Sequence, residues 1–392
     1  MKMVSLYREK LRQAAELISL SGADLWITYV RETSAGSDPV LPLLMDGGLT
    51  WQSALLVSPS GQSVAIVGNY DADPLLHTGD WDEVIPYIQD IEPILLETLE
   101  RLLPGGGRIA VNYSEDDVMA DGLTHGMYLN LQRMIGDRYE LTSAAPTVMA
   151  LRGVKSPQEV ERVRAALVET QRMFDDIASF AKIGISERSV YDHVHALARG
   201  RNLTFSWDPA GDPIVNSGPD SMIGHGIPSD KITIQPGHIF HVDLGLTKNG
   251  YSGDIQRSWY VGDEVPEDVA ATFRGVSGAI QAASQVLRPG ILGHQVDHVA
   301  RQYIIQAGFP EYQHALGHQV GRKAHDGGAI LGPQWPRYGN TPNIPIRAGE
   351  IYTLELGVTI PGRGYLGLEE MVLVTESGCE WLMPPQREIM IL

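Results

Sequence analysis

The chemistry in this chain of 392 residues concentrates in carboxylates set where strands should be buried. Asp243 and Asp254 lie in two β-rich runs that flank Asn249-Gly250, the dipeptide that best supplies the positive φ angles of a two-residue type I′ turn. That turn pairs Lys248 with Tyr251 and sets Asp254 opposite Gly245. Because strand side chains alternate with period two, Asp243 and Asp254 then share a face as a diagonal pair, with Cβ atoms on the order of 7 Å apart. Ile239, Phe240, Val242 and Leu244 mark the first run as buried on both faces, and buried carboxylates are paired or bound to metal. A second acidic hairpin runs from Ile351 to Val374 around Pro361-Gly362-Arg363-Gly364. An odd loop centred near Gly362 sets Glu355 directly across from Glu369, whereas an even loop separates them. In either case Glu370 points the other way.

Between the two hairpins, His314, His318 and His325 fall within twelve residues, interrupted by glycines. Two aspartates, two glutamates and one histidine suggest a metal centre. Four carboxylates bring about four negative charges, which two divalent cations neutralise, and bridging carboxylates hold such ions roughly 3.5–4 Å apart. One ring nitrogen among oxygens favours Mn, Fe or Co over a structural zinc, with zinc a further option. A water held by two such ions becomes a nucleophile near neutral pH, and neighbouring histidines can donate hydrogen bonds to a developing oxyanion or a leaving amine. This is machinery for hydrolysing an amide. His225, in Gly224-His225-Gly226-Ile227-Pro228, joins the candidates because it lies shortly before the first acidic hairpin. His294 and His298 are spaced four apart as in a helical zinc site, but the glutamate required after the first histidine is missing, so they read as a surface pair. His193 and His195 are two apart and face away from each other on a helix.

The elements that must position these residues occupy the second part of the chain. Ser156-Pro157-Gln158-Glu159 carries a complete helix start, with Ser as N-cap, Pro at the first position and Glu closing a capping box; the helix extends to about Ala181. Another begins after Ser186, and two more follow at about Glu267 to Val286 and Leu292 to Ala307. Before the boundary near residues 151–155 comes an α/β domain of roughly 150 residues with strands and helices interleaved. It opens with an amphipathic helix ended by Gly22, then the strand Leu25–Val30, a hairpin around Ser58-Pro59-Ser60-Gly61, a helix from about Ile91 to Leu103 and a strand from Arg108 to Asn112. The polar segment from Arg31 to Pro39 reads as a surface loop. No catalytic cluster is found in this first domain. Gly105-Gly106-Gly107 is a plain turn, since no Lys-Ser/Thr follows it and no helix begins there.

Composition narrows the remaining choices. Hydrophobic residues make up 43% and charged residues 20%, as in an ordinary globular protein, and the length points to two domains. A formal charge of −18 excludes the basic face that nucleic acid or an anionic membrane would need. The single cysteine, Cys379, excludes an intrachain disulfide and thiolate metal clusters. The charged amphipathic start is not a signal peptide, and no apolar run approaches the ~20 residues of a membrane span, so a cytoplasmic location is expected.

The whole chain resembles the pita-bread metallopeptidases, the family of methionine aminopeptidase, aminopeptidase P and prolidase. Asp243-Leu-Gly with Tyr251-Ser-Gly-Asp-Ile-Gln-Arg, Gly317-His318 before Gln-Val-Gly, Glu355-Leu-Gly, and Leu368-Glu-Glu followed by Val-Leu-Val-Thr-Glu occur in family order and spacing. The resemblance implies Asp243, Asp254, His318, Glu355 and Glu369 as metal ligands. It also implies His225 as the substrate-side histidine, and His314 and His325 as the pair flanking the ligand histidine. The implied fold is α+β: a pseudo-twofold pita-bread domain over 151–392 with a curved antiparallel sheet bearing the metals, preceded over 1–150 by a smaller α/β domain like that of creatinase and prolidase. The leading domain is similar to that of the proline-specific branch, and His325-Asp326 resembles the aminopeptidase P form. Prolidases carry an arginine two residues before the last ligand, where this chain has Gly367, so peptide length is left open.

The implied activity is an Xaa-Pro peptidase of the aminopeptidase or dipeptidase kind. It would be a homodimer using two divalent ions, Mn first, with Co, Fe or Zn as alternatives. Its substrates are short peptides with proline at the second position. Glu355 shuttles the proton, His225 and His325 support the tetrahedral intermediate, and His314 shapes the proline-side pocket. Two rival readings are a hydrolase or lyase of the same fold acting on a small non-peptide metabolite, and a non-catalytic binding module, which would be expected to have lost ligands.

Overall fold

The computed structural model describes residues 5–224 and 226–392, and the chain divides into two compact units, Met1–Arg152 and Gly153–Leu392. In the first unit a six-stranded mixed sheet has the order β4-β3-β2-β1-β5-β6. The strands are β1 Leu25–Val30, β2 Ser53–Val57, β3 Ser63–Gly68, β4 Glu83–Tyr87, β5 Gly107–Val111 and β6 Tyr139–Ser143. Strand alternation divides its side chains between two cores. Trp26, Leu55, Val57, Ala65 and Val67 pack with Leu11, Ala14 and Ile18 of the helix Leu6–Leu17 and its short extension, and with Val148 and Leu151. Leu25, Ile27, Tyr29, Leu56 and Ile66 pack on the other side with Leu95 and Leu99 of the helix Glu92–Leu102 and with Met127 and Leu131 of the helix His125–Ile135. A sheet covered on both faces explains why its strands read as continuous apolar runs. The first helix ends at Gly22, whose φ of 62° is the left-handed conformation a glycine accepts without strain. The segment after β1 is mostly exposed but includes Asp38, which is buried and accepts hydrogen bonds from Asn112 Nδ2 and Val40 N at 2.8 and 2.9 Å. That buried acid modifies the simple surface-loop reading.

The second unit is organised by an antiparallel sheet whose main path is β11-β12-β10-β9-β7, with β8 also paired to β9. Its strands are β7 Thr204–Phe205, β8 Ile214–Ser217, β9 Ile239–Lys248, β10 Tyr251–Tyr260, β11 Ile351–Ile360 and β12 Gly364–Val374. Asn249 and Gly250 have φ of 53° and 76°, both positive as the type I′ turn requires, and the register pairs Tyr251 with Lys248 and Asp254 with Gly245. The choice left open for the second hairpin is settled by its odd loop. Ile360 pairs with Gly364 across Pro361–Arg363, and Glu355 is directly opposite Glu369.

Helices cover one face of this sheet. Leu354, Leu356, Val358, Leu366 and Leu368 share a core with Val269, Phe273, Val276 and Ile280 of the helix Glu267–Val286 and Val296, Ala300 and Ile304 of the helix Gly293–Gln306. Pro157–Phe180 packs on the hairpin, with Phe174 stacked on Trp259 at 6.1 Å between ring centroids. Its capping box forms as the sequence predicts: Ser156 N donates to Glu159 Oε2 at 2.9 Å and Glu159 N to Ser156 Oγ at 3.4 Å. Gly253 admits this helix, because a Cβ there would sit 2.6 Å from the backbone of Leu167. Among the described residues, no helix is long and apolar enough to cross a membrane.

Candidate metal centre

The face of the sheet opposite the helices carries the acids. Registers running across four strands place Asp243, Gln256, Glu369 and Glu355 in one line of cross-strand partners, on β9, β10, β12 and β11. Asp254 lies two residues before Gln256 and therefore on the same face. Glu370, of opposite parity, points away and forms a buried ion pair with Arg257, Nη1 to Oε1 at 3.0 Å and Nη2 to Oε2 at 3.2 Å. Of the two adjacent glutamates, the pleat thus leaves only Glu369 with the other acids.

His318 reaches the same place from an irregular segment running beside β11. Thr353 N donates to His318 O at 2.9 Å, and His318 N donates to Thr353 Oγ1 at 3.1 Å. Gly317 makes this close approach possible, since a Cβ there would lie 2.0 Å from Thr353 O. The ring is oriented from behind: Nδ1 is 3.0 Å from Ala324 O, a carbonyl that can only accept, so Nδ1 carries the proton and Nε2 presents its lone pair. That lone pair is 3.5 Å from Glu355 Oε1, 3.7 Å from Glu369 Oε1 and 3.9 Å from Asp254 Oδ2. Burial and the neighbouring His325 push the His318 pKa down to about 3, so these contacts are not salt bridges. A lone pair facing three carboxylates needs a proton or a metal cation between them. Ligand atoms of Asp254, His318 and Glu369 all lie within 4.8 Å of one another.

The acids show the same frustration. Burial pushes Asp254 up to about 7. Burial and then Asp254 push Glu355 up to about 8. Burial, reinforced by the neighbouring carboxylates, raises Asp243 and Glu369 far above the ordinary carboxylate range. Asp243 Oδ1 and Asp254 Oδ1 are buried with no hydrogen-bond partner among the described residues. Unpaired buried carboxylate oxygens of this kind normally find a metal or a counter-ion, and this oxygen-rich set with one imidazole fits divalent cations.

The remaining expected histidines differ in placement. The His325 ring lies edge-on to His318, with centroids 4.3 Å apart, and so stands beside the candidate ligand histidine. His314 is held differently: its Nδ1 is 2.7 Å from Ala315 O, its ring is 5.3 Å from that of Tyr312, and its carbonyl accepts from Arg301 Nη2 at 2.8 Å. No hydrogen bond or ring contact among the described residues joins it to the five candidate ligands. His225 lies outside the described residues. Three residues not singled out in the sequence belong to the neighbourhood. Gln256 and His241 share the face of the acids, a signal available from their spacing of two from Asp254 and Asp243. Asp212 is buried, accepts from Ser206 N at 3.2 Å and Gly245 N at 3.4 Å, and is raised by burial and then by Asp254; its position in a Gly- and Pro-rich loop offered no such signal.

A profile of metallopeptidase family M24 matches residues 161–376, more than half of the chain. The chain belongs to metallopeptidase family M24. Within the family, it is 31% identical over 241 residues to an Xaa-Pro dipeptidase of Pyrococcus furiosus, covering 61% of this chain and 66% of that protein. Its fold matches a dipeptidase, PepE, from Mycobacterium ulcerans with a TM-score of 0.75 and 25% identity over 98% of both chains. It also matches an X-Pro aminopeptidase from Thermotoga maritima with a TM-score of 0.71 and 25% identity, covering 98% of this chain and 99% of that one. The α+β architecture, with a mixed-sheet domain before an antiparallel-sheet domain, matches these two solved structures over nearly the whole chain.

Proposed function

We propose that this M24 metallopeptidase is an Xaa-Pro peptidase, hydrolysing the amide between an N-terminal residue and proline in short peptides. Support for a metal-dependent hydrolase comes chiefly from one observation, the neutral His318 Nε2 within 3.9 Å of oxygens from Asp254, Glu355 and Glu369. Support for proline comes from relatives described as Xaa-Pro dipeptidase and X-Pro aminopeptidase. In this reading Asp243, Asp254, His318, Glu355 and Glu369 hold two divalent ions, Mn first, with Co, Fe or Zn as alternatives. When bound, such ions supply Lewis acidity at the scissile carbonyl and lower the pKa of a coordinated water.

The protein groups then divide the remaining work. Glu355 moves the proton between water and the leaving amine. His325, beside His318, donates a hydrogen bond to the oxyanion as it develops. His225 is assigned the same supporting task and His314 the proline-side pocket, both on the family resemblance. A homodimer belongs to the same proposal and is tested by sedimentation.

The deciding assay is hydrolysis of Xaa-Pro-Yaa peptides with added Mn, compared with Xaa-Ala-Yaa peptides and small amides, with Asp254→Asn as control. Turnover unchanged in the control ends the metal reading. Equal rates on proline and alanine peptides end the specificity reading.

A further inference from the structure

The row of acids is interrupted by an amide. Gln256 stands between Asp243 and Glu369 in the cross-strand line, yet its Nε2 donates to Glu355 Oε2 at 2.9 Å, on the strand beyond Glu369. Since β12 lies between β10 and β11, that contact spans two inter-strand spacings, roughly 10 Å between Cα atoms. A threonine or serine could not reach so far. Behind Gln256 stands His241, buried, with Nε2 3.1 Å from Gln256 Oε1 and Nδ1 3.2 Å from Asn216 Oδ1, and with its ring edge-on to Tyr365 at 5.0 Å. A polar column His241–Gln256–Glu355 therefore crosses the sheet and ends on one oxygen of one candidate ligand. Its orientation follows from its end: Glu355 Oε2 can only accept when ionised, so Gln256 turns its NH₂ there and its carbonyl toward His241, which donates from Nε2.

Gly367 leaves the path open. A Cβ at this position would lie 2.9 Å from both Gln256 Oε1 and His241 Nε2, at the junction of the column, and 2.5 Å from the Tyr365 ring. Any side chain at 367 displaces the column.

We infer that Gln256 and His241 are positioning residues for Glu355: the column holds Oε2, leaving Oε1, the oxygen that faces His318 Nε2 at 3.5 Å, as the atom offered to metal. Neither residue touches substrate in this scheme. Hydrogen-bond partners behind a ligating carboxylate set its orientation, and their loss typically lowers metal affinity or activity 10–100-fold. The inference rests on the five-ligand reading above but not on proline specificity.

The test is metal titration of the chelated full-length chain with Mn and Co by calorimetry, together with the visible absorption spectrum of the Co-loaded protein. The proteins compared are wild type, Gln256→Met, His241→Leu, His241→Gln and Gly367→Ala. The expected result is two ions bound by wild type, with the weaker ion bound about 10–100-fold less tightly by Gln256→Met, His241→Leu and Gly367→Ala, and with an altered Co spectrum. His241→Gln, whose amide can still donate to Gln256, should recover most of the affinity. On any peptide that wild type hydrolyses, Gln256→Met should lower kcat with KM changed less than twofold. Melting of the chelated proteins identifies a variant that has merely failed to fold, and the remaining variants then carry the result. Wild-type affinity and spectrum in folded Gln256→Met and His241→Leu overturn the positioning role while leaving the metal site intact. A wild type that binds no ions overturns both.

Discussion

Replacing Asp254 by asparagine should make the metal-free protein more stable, not less. Burial pushes this acid from an ordinary 3.8 up to about 7, so its folded-state pKa lies above its unfolded one and its charge opposes folding. The contribution has a definite sign: stability is fully present below about pH 4, where the acid is protonated in both states, and is lost as the pH rises through 7. At ~1.4 kcal/mol per pH unit, the loss at pH 8 is roughly 4 kcal/mol, falling to about 1 kcal/mol at pH 4.5. A neutral amide of the same shape escapes this loss and relieves the repulsion that Asp254 exerts on Glu355 and Glu369. For a domain of this size ~4 kcal/mol corresponds to about 10 °C in melting temperature. The assay is thermal unfolding of chelated wild type and Asp254→Asn between pH 4.5 and 8, repeated with excess Mn. Without metal the variant should melt higher at pH 8, with the difference nearly closed at pH 4.5. With Mn the order should reverse at pH 8, because two ions, each stabilising by about 2.7 kcal/mol at a hundredfold excess over its Kd, together supply about 5.4 kcal/mol, more than the ~4 kcal/mol advantage of a variant that has lost a ligand. A metal-free variant no more stable than wild type at pH 8 would refute the claim that these acids are held together against their own charge.

Glu369→Gln and Glu370→Gln, one residue apart, should behave oppositely. The first should abolish tight metal binding while raising metal-free stability near neutral pH, as for Asp254, and the second should spare metal affinity but destabilise by about 3–5 kcal/mol, because Arg257 is left as a buried unpaired charge; calorimetry and melting separate the two. Gly317→Ala places a Cβ 2.0 Å from Thr353 O, so the segment carrying His318 must shift, at a cost of about 1–3 kcal/mol and with weakened metal binding in the same titrations. Ser156→Ala removes the cap of the helix Pro157–Phe180 and should lower stability by about 1 kcal/mol in denaturant unfolding, with metal affinity unchanged.

Much of the framework was legible in the residues alone. Asn249-Gly250 dictates a turn with two positive φ angles, and such a turn determines the register of both flanking strands, so the facing of Asp243 and Asp254 follows from local chemistry alone. Ser156-Pro157 with Glu159 likewise specifies a helix start within four residues, and strand alternation separates Glu369 from Glu370 without reference to anything distant. Each of these is a rule about neighbours in sequence, and neighbours in sequence are what a chain displays.

Where one element meets another, the tertiary structure decided. The loop parity around Gly362 was undetermined locally, yet it governs whether Glu355 faces Glu369. His318 could not be distinguished from His314 and His325 by spacing; it is the one whose backbone is pinned to Thr353 and whose Nδ1 is held by Ala324 O. Gln256 reads as an ordinary strand amide and Gly367 as an ordinary strand glycine. Their meaning arises only because β12 lies between β10 and β11, so that a long side chain must pass over a missing one to reach Glu355. Local geometry depends on covalent neighbours and is written in the sequence. A site built from five segments depends on which strands pair and how closely they approach, and that is a property of the folded sheet.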